Sequence, residues 1–193
     1  MHLSEYQLMT PITFTVSQTE KELEGILSLQ KANHLHEVDS LEEGFVFARH
    51  DLGKLQNMQK IAPHVIAKAE DQVVGYVLAM THDSREDVPE LAPMFEIFET
   101  LEYQGKKISS YHCMIVGQTC IAKEYRGKGL LKQLYGKYRE LYDGKFDLAI
   151  TEISSRNIRS QRAHEKIGFR EIHRYTDPGG EEWVVVIWDW KMV

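Results

Sequence analysis

Residues 121–135 read IAKEYRGKGLLKQLY, from Ile121 to Tyr135. A strand end, a tight loop and an immediate helix start follow one another here, and the rest of the chain can be read outward from them. Upstream, residues 113–122 have the composition of a strand. Downstream, Leu130, Leu134, Tyr138 and Leu141 share one helical face over residues 130–142. Arg126-Gly127-Lys128-Gly129 is the loop between them. The unpaired N–H groups of a first helical turn, with the positive end of the helix dipole, face whatever lies over such a loop. Glycines let a phosphate approach that backbone closely, and Arg126 and Lys128 add positive charge. Two other phosphate motifs are excluded. Gly129 is followed by Leu130, Leu131 and Lys132, so GxGxxG fails, and no GxxxxGK with Ser or Thr occurs. Taken alone, a GxG is equally a turn that caps a helix.

Further downstream, residues 146–153 read as a strand and 158–167 as a helix ended by Gly168. Asn157, Ser160 and His164 fall on one face of that helix by i, i+3 and i+7 spacing. Strands over 170–175 and 183–190 flank Asp177-Pro178-Gly179-Gly180. On the upstream side, residues 12–16 alternate as a half-buried strand does. Thr19 and Glu22 form a capping box ahead of Leu23, Ile26, Leu27 and Gln30. A second helix is predicted over 53–61, ended by Pro63. Strands over 64–68 and 73–80 follow, joined by the turn 69–72. Residues 82–110 contain Pro89 and Pro93, then Met94, Phe95, Phe98 and Leu101 at helical spacing. This is a long insertion with a short helix in it, either a lid or substrate wall or a packed excursion. The order β-α-α-β-β, insertion, β-α-β-α-β-β predicts a mixed-sheet α/β (α+β) layer protein in a single domain.

Composition narrows the function. The 193 residues carry 23 Lys plus Arg against 29 Asp plus Glu, a net charge of −6, which argues against a nucleic-acid partner held through phosphates. Cys113 and Cys120 are too few for a disulfide framework or a four-ligand zinc site and read as small buried hydrophobes. The start, MHLSEYQLMTP, lacks a basic region followed by an apolar core, and no apolar run approaches the ~18–20 residues that span a bilayer. A soluble, cytoplasmic chain without a membrane partner is expected. His34-Leu35-His36-Glu37 lacks a third ligand at helical spacing, so no metal is expected. Residues 183–190 are apolar on both faces, as in an internal strand or a dimer edge, which leaves monomer and homodimer both open.

Arg126-Gly127-Lys128-Gly129 together with Asn157-x-x-Ser160-x-x-x-His164-x-x-x-Gly168-Phe169 resembles the GCN5-related N-acetyltransferase (GNAT) superfamily, over roughly residues 12–190. The family's loop pattern [Gln/Arg]-x-x-Gly-x-[Gly/Ala] is met at Arg126 and Gly129, with Leu131 in place of the last small residue. The preceding hydrophobic-x-Pro-Glu-Tyr-Arg stretch is met by residues 121–126, with Lys123 in place of proline. The resemblance implies a splayed, mixed central sheet flanked by helices. It divides the chain into an acceptor-side half (12–81), the insertion (82–110), an acetyl-CoA-binding core (111–169) and a C-terminal strand pair (170–193). Acetyl-CoA is implied as co-substrate. The backbone of Ile121, Ala122 and Lys123 would hold its pantetheine arm. The amides of Arg126, Gly127, Lys128, Gly129, Leu130 and Leu131 would take the pyrophosphate, and Asn157, Ser160 and His164 would line the groove.

Catalytic roles follow from the same resemblance. The Ile121 amide would hold the thioester oxygen. His164 stands where many members carry a tyrosine and would protonate the departing thiolate, since an unperturbed histidine titrates at ~6.5. Tyr125 and Tyr135 are alternatives. Glu152 ends the strand LAITEIS five residues before Asn157, similar to the base position of ribosomal-protein N-terminal acetyltransferases. Partly desolvated at a cleft mouth, it would accept a proton from an ammonium; on the surface it would pair with Arg156 or Arg159 instead. Glu37, Asp39, Glu42 and Glu43 cluster where family members line the acceptor site. The expected function is direct acetyl transfer, in a ternary complex, to the primary amine of a small molecule, because the 82–110 insertion would close the groove a peptide needs. Acetylation of a protein N-terminus or lysine is the first alternative. A non-catalytic acyl-CoA-binding module, consistent with Leu131 and with the lack of tyrosine at 164, is the second.

Overall fold

The computed structural model describes residues 11–191. The first ten residues, read above for a targeting signal, and the last two lie outside the described residues. In chain order the elements are β1 (Ile12–Val16), α1 (Glu20–Ala32), α2 (Leu52–Ile61), β2 (Val65–Ala69), β3 (Gln72–Met80), α3 (Ala92–Thr100), β4 (Glu102–Tyr103), β5 (Lys106–Lys107), β6 (Cys113–Ile121), α4 (Leu130–Tyr142), β7 (Leu148–Ser154), α5 (Ile158–Ile167), β8 (Arg170–Thr176) and β9 (Glu182–Asp189). The capping box forms as read: Thr19 Oγ1 accepts from the Glu22 amide, and the Glu22 carboxylate accepts from the Thr19 amide. Asp51 caps α2 by accepting from the Lys54 amide, so that helix starts one residue earlier than its apolar spacing suggests.

Seven strands form one sheet in the order β1-β2-β3-β6-β7-β9-β8. Within it only β6 and β7 run parallel, and they pair over just three positions, Cys113↔Leu148, Met114↔Ala149 and Ile115↔Ile150. Beyond these the strands diverge. β6 stays on β3 as far as Gly75↔Ile121, while β7 stays on β9 as far as Ser154↔Trp183. The sheet therefore opens as a V. At the branch the β3–β6 register passes from Leu78↔Gln118 to Ala79↔Val116, which leaves Gly117 as the extra residue of a bulge that bends β6 away. A Cβ at Gly117 would stand 3.0 Å from the Met80 sulfur, so any larger residue there would have to displace the Met80 side chain.

Helices α1, α2 and α4 pack on β3, and Val65, Ile66, Val74, Val77, Leu78, Leu134, Tyr135 and Tyr138 are all buried. β9 lies between β7 and β8, which explains its apolar residues on both faces: it is an internal strand, not an edge. The insertion folds as two 3-10 turns, α3, the small β4–β5 hairpin and a third 3-10 turn over Ile108–Ser110. α3 buries Met94, Phe95 and Phe98, but Leu101 is already extended and ends the helix. The hairpin was not legible because two-residue strands carry no periodicity; its turn is marked by the positive φ of Gln104 and Gly105.

Candidate active site

One arm of the V carries the glycine loop. Gly129 (φ 79°) is the N-cap of α4 without a side-chain cap, and the first helical bond runs from the Gln133 amide to the Gly129 carbonyl. The amides of Leu130, Leu131 and Lys132 thus have no partner within the helix. A Cβ on Gly127 or Gly129 would meet nothing within 4 Å, so the space over the loop is open. It continues into a groove of about 940 Å³ between this loop and α5, edged by Lys132, Arg159, Arg162 and Lys166. Free amides, an open glycine floor and four cations fit a pyrophosphate-bearing cofactor such as acetyl-CoA. Leu131 is half-buried and packs against the core.

The charges expected from the loop itself are used elsewhere. Arg126 donates to the carbonyls of Ile121 (2.9 Å) and Glu43 (2.7 Å) and to Asn33 Oδ1, which ties the loop to the end of α1. Lys128 lies over the Tyr125 ring at 5.4 Å. The backbone roles also sort by strand parity. Ala122 donates to the Val74 carbonyl and Cys120 is opposite Tyr76, so these residues turn their amides to β3. Thr119 and Ile121 turn theirs to the open side of β6. Ala122 is therefore committed to the sheet, while the Ile121 amide faces the open side of β6. Lys123 lies in a 3-10 turn and pairs with Glu43 at 2.7 Å.

Residues 44–50 form a strap between the two arms. The Gln118 side-chain amide, from β6, donates to the Ala48 carbonyl (2.8 Å), and Tyr76 fixes its oxygen (2.6 Å). The Asn157 amide, from the start of α5, donates to the Phe45 carbonyl (2.8 Å), while its oxygen accepts from the Ser160 amide (3.2 Å). Asn157 lines the groove as expected, but its polar atoms are spent on the strap and the helix cap. On the far side of the strap is a second cavity of about 510 Å³. Phe45, Val46, Thr119, Asn157, Ser160 and His164 line both spaces, so the two adjoin beneath the strap.

Glu152 faces this second cavity. Its Oε2 accepts from the Tyr175 hydroxyl at 2.6 Å. Burial, seconded by the nearby Asp177, pushes its carboxyl up to about 7 despite that hydrogen bond. No surface ion pair forms with Arg156, which holds Glu181 at 2.6 Å. Leu91, Pro93, Met94 and Glu90 of the insertion make the opposite wall, and Lys54 pairs with Glu90 at 2.6 Å. The acidic cluster expected to line the acceptor site does not line this second cavity. Glu37, Asp39 and Glu43 line a separate pocket beside α1, and Glu42 edges the cofactor groove. The acids lining the second cavity are Glu90, Glu152 and Asp177. Tyr175, Asp177, Trp183, Gln118 and Phe47 were missed in the sequence. None lies in a motif, and only Trp183, in its strongly apolar strand, stood out at all.

His164 is buried. Its Nδ1 is 2.8 Å from the Ser160 carbonyl, which can only accept, so the ring proton is on Nδ1. Nε2 then accepts from the Tyr135 hydroxyl at 2.7 Å. Burial lowers the ring to about 4. The neutral ring has no N–H directed at the cleft, contrary to an acid titrating near 6.5. The Tyr135 hydroxyl, itself pushed up by burial, is 3.2 Å from Thr119 Oγ1. Thr119, Tyr135 and His164 form one chain from the cleft into the core. His34 serves the strap: Nε2 donates to the Phe47 carbonyl at 2.9 Å, and Nδ1 accepts from the His36 amide at 3.3 Å.

No curated protein matches the chain in sequence. Solved structures share its fold. The ribosomal-protein-S18-alanine N-acetyltransferase of Escherichia coli aligns over 95% of this chain and 96% of its own, at 12% identity and TM-score 0.62. Arabidopsis thaliana NAA60 in complex with acetyl-CoA aligns over 93% and 99%, at 12% identity and TM-score 0.63. The ribosomal-protein-alanine N-acetyltransferase of Brucella melitensis aligns over 92% and 99%, at 19% identity and TM-score 0.61. The family model described as the acetyltransferase (GNAT) family matches residues 32–169, most of the chain and all of the loop–helix machinery just described. The chain belongs to the GNAT family of acetyltransferases.

Proposed function

We propose that this protein is an acetyl-CoA-dependent N-acetyltransferase that modifies the primary amine of a small molecule by direct transfer. The observation that carries the reading is Glu152: a carboxyl raised to about 7 in a cavity that adjoins the cofactor groove. Acetyl-CoA supplies the acetyl group already activated as a thioester. The amides of Leu130, Leu131 and Lys132 would hold its pyrophosphate, and the Ile121 amide, on the open side of β6, would serve as oxyanion donor to the thioester oxygen. Glu152 accepts the proton that an ammonium must lose before its nitrogen can attack. Asp177 and Glu152 together favour entry of a cation. His164 accepts from the Tyr135 hydroxyl, whose oxygen in turn accepts from Thr119 Oγ1, so the three side chains are fixed where the two spaces meet.

The fold relatives named for alanine on ribosomal proteins favour a second reading, acetylation of a protein N-terminus. The wall built by Glu90–Met94 supports the small acceptor instead. Calorimetric titration with acetyl-CoA, and with NAD as control, tests the cofactor. Amine-dependent thiol release by wild type and Glu152→Gln tests the chemistry. Selective binding by both proteins with release only by wild type is expected. Identical behaviour of the two, with no release, would mean a binding module.

A further inference from the structure

Phe45, Val46, Thr119, Asn157, Ser160 and His164 line both the cofactor groove and the cavity beside Glu152. Most polar atoms at this junction are already taken. The Phe45 carbonyl accepts from Asn157, whose own oxygen caps α5, and the Val46 carbonyl accepts from the Leu35 amide. His164 sends its Nδ1 proton to the Ser160 carbonyl. Ser160 Oγ lies 3.3 Å from the same nitrogen and can only accept there, so its own hydroxyl proton stays available. Ser160 is thus a donor at the junction, and the remaining side-chain oxygen is that of Thr119.

The direction of the hydrogen bonds at Thr119 is set from the core outward. With its proton on Nδ1, His164 presents a bare Nε2, which takes the Tyr135 hydroxyl proton at 2.7 Å. That proton is therefore used, and the Tyr135 oxygen, 3.2 Å from Thr119 Oγ1, accepts from Thr119. Tyr135 has no room to turn away: it is fully buried, and Tyr138, Phe169 and Trp188 meet its ring edge-on. Thr119, half-buried, consequently points its proton inward and has only oxygen lone pairs left for a further partner.

This polarity selects between the two reacting groups. A thioester carries lone pairs on oxygen and sulfur and no proton, so a hydrogen-bond acceptor has nothing to bind on it. An ammonium carries three N–H groups, of which Glu152 removes one. We propose that Thr119 Oγ1 accepts an N–H of the attacking amine, with His164 and Tyr135 as the positioning residues that hold it in that role. A second N–H held in this way restricts rotation of the nitrogen, so the lone pair freed by Glu152 keeps one direction. The inference rests on the transferase reading above.

Two measurements test it. Long-range 1H–15N spectra of the histidine rings, assigned with His164→Gln, read the His164 tautomer directly. A neutral ring protonated on Nδ1 from pH 6 to pH 8 is expected; a proton on Nε2 reverses the chain and overturns the inference. Thiol release from acetyl-CoA is then followed with tyramine, putrescine and alanine amide. Thr119→Val is expected to lower kcat/KM for the amine by about tenfold or more, mostly through KM, with acetyl-CoA affinity unchanged by calorimetry. Thr119→Ser keeps the hydroxyl and should stay within about threefold of wild type. Tyr135→Phe frees the Thr119 proton; it should cost about threefold in wild type and nothing further in Thr119→Val, a coupling that loss of packing would not produce. Should Thr119→Val fail to fold, Tyr135→Phe carries the same readout. An unchanged kcat/KM overturns the inference, as does a loss of acetyl-CoA affinity in its place. Release with none of the three amines overturns the transferase reading, whereas a reversed ring overturns this inference alone.

Discussion

The side-chain amide of Asn157 spans 112 positions to the Phe45 carbonyl, and its oxygen caps α5 through the Ser160 amide. One residue thus starts a helix and holds the strap that separates the two halves of the cleft. Asn157→Ala removes both contacts and is expected to lower stability by about 1–3 kcal/mol and raise the acceptor KM. Asn157→Asp keeps the cap but loses the donor to Phe45, so it should recover much of the stability and none of the KM. Urea unfolding alongside steady-state kinetics separates the two; equal recovery of both would show that the strap does not depend on Asn157.

Glu152 titrates near 7, so kcat/KM should rise as pH increases through 7 and the carboxylate forms. The Tyr175 hydroxyl stabilises that carboxylate, and Tyr175→Phe should move the limb to higher pH. Glu152→Gln should lower kcat by about 10²–10⁴ while leaving acetyl-CoA binding intact. The same shift has a stability sign. A carboxyl raised from 4.5 to about 7 favours the folded state below 4.5, a contribution lost as pH rises through 7. Relative to wild type, Glu152→Gln should therefore melt higher at pH 8 than at pH 4. A pH profile unmoved by Tyr175→Phe would remove Glu152 from the base role.

His50, His64 and His164 are buried and each is lowered to about 4 by desolvation. Unfolded histidine binds its proton at ~6.5, so each group's contribution is complete above that value and is lost as pH falls toward 4. The upper bound is ~3 kcal/mol apiece, enough together to unfold a marginally stable domain in mild acid. The urea midpoint should fall between pH 7.5 and pH 5. His50 has no partner for either ring nitrogen, so His50→Leu should raise stability and flatten the pH dependence. A midpoint independent of pH in wild type would contradict this.

Gly129 holds φ at 79°, where a β-branched residue is strained by ~1–3 kcal/mol, and any Cβ would enter the open space over the loop. Gly129→Val should weaken acetyl-CoA binding at least about tenfold. Acetyl-pantetheine, which lacks the pyrophosphate, should bind wild type and variant alike. Calorimetry with both ligands checks this, and an equal loss for both would assign the effect to general distortion.

Much of the fold is written locally. The caps at Thr19 and Asp51, the spacing of Leu130, Leu134 and Tyr138, and Gly168 after α5 are signals that act within a few residues, so they survive reading without the rest of the chain. The glycine loop is of the same kind, since free amides follow from any helix that starts there. Glu152 was legible through its spacing to Asn157 and the family it resembles. What only the tertiary structure decided is what those residues meet. Arg126 is drawn from the loop to the Glu43 carbonyl and to Asn33 at the end of α1, and His164 is made neutral by burial. The cavity beside Glu152 joins Phe47, Glu90, Glu152 and Trp183 from four remote segments. Helical and strand periods encode which face of an element turns inward. Desolvation and encounters between distant side chains depend on how the faces assemble, and those set the charge, the access and the partners of the site.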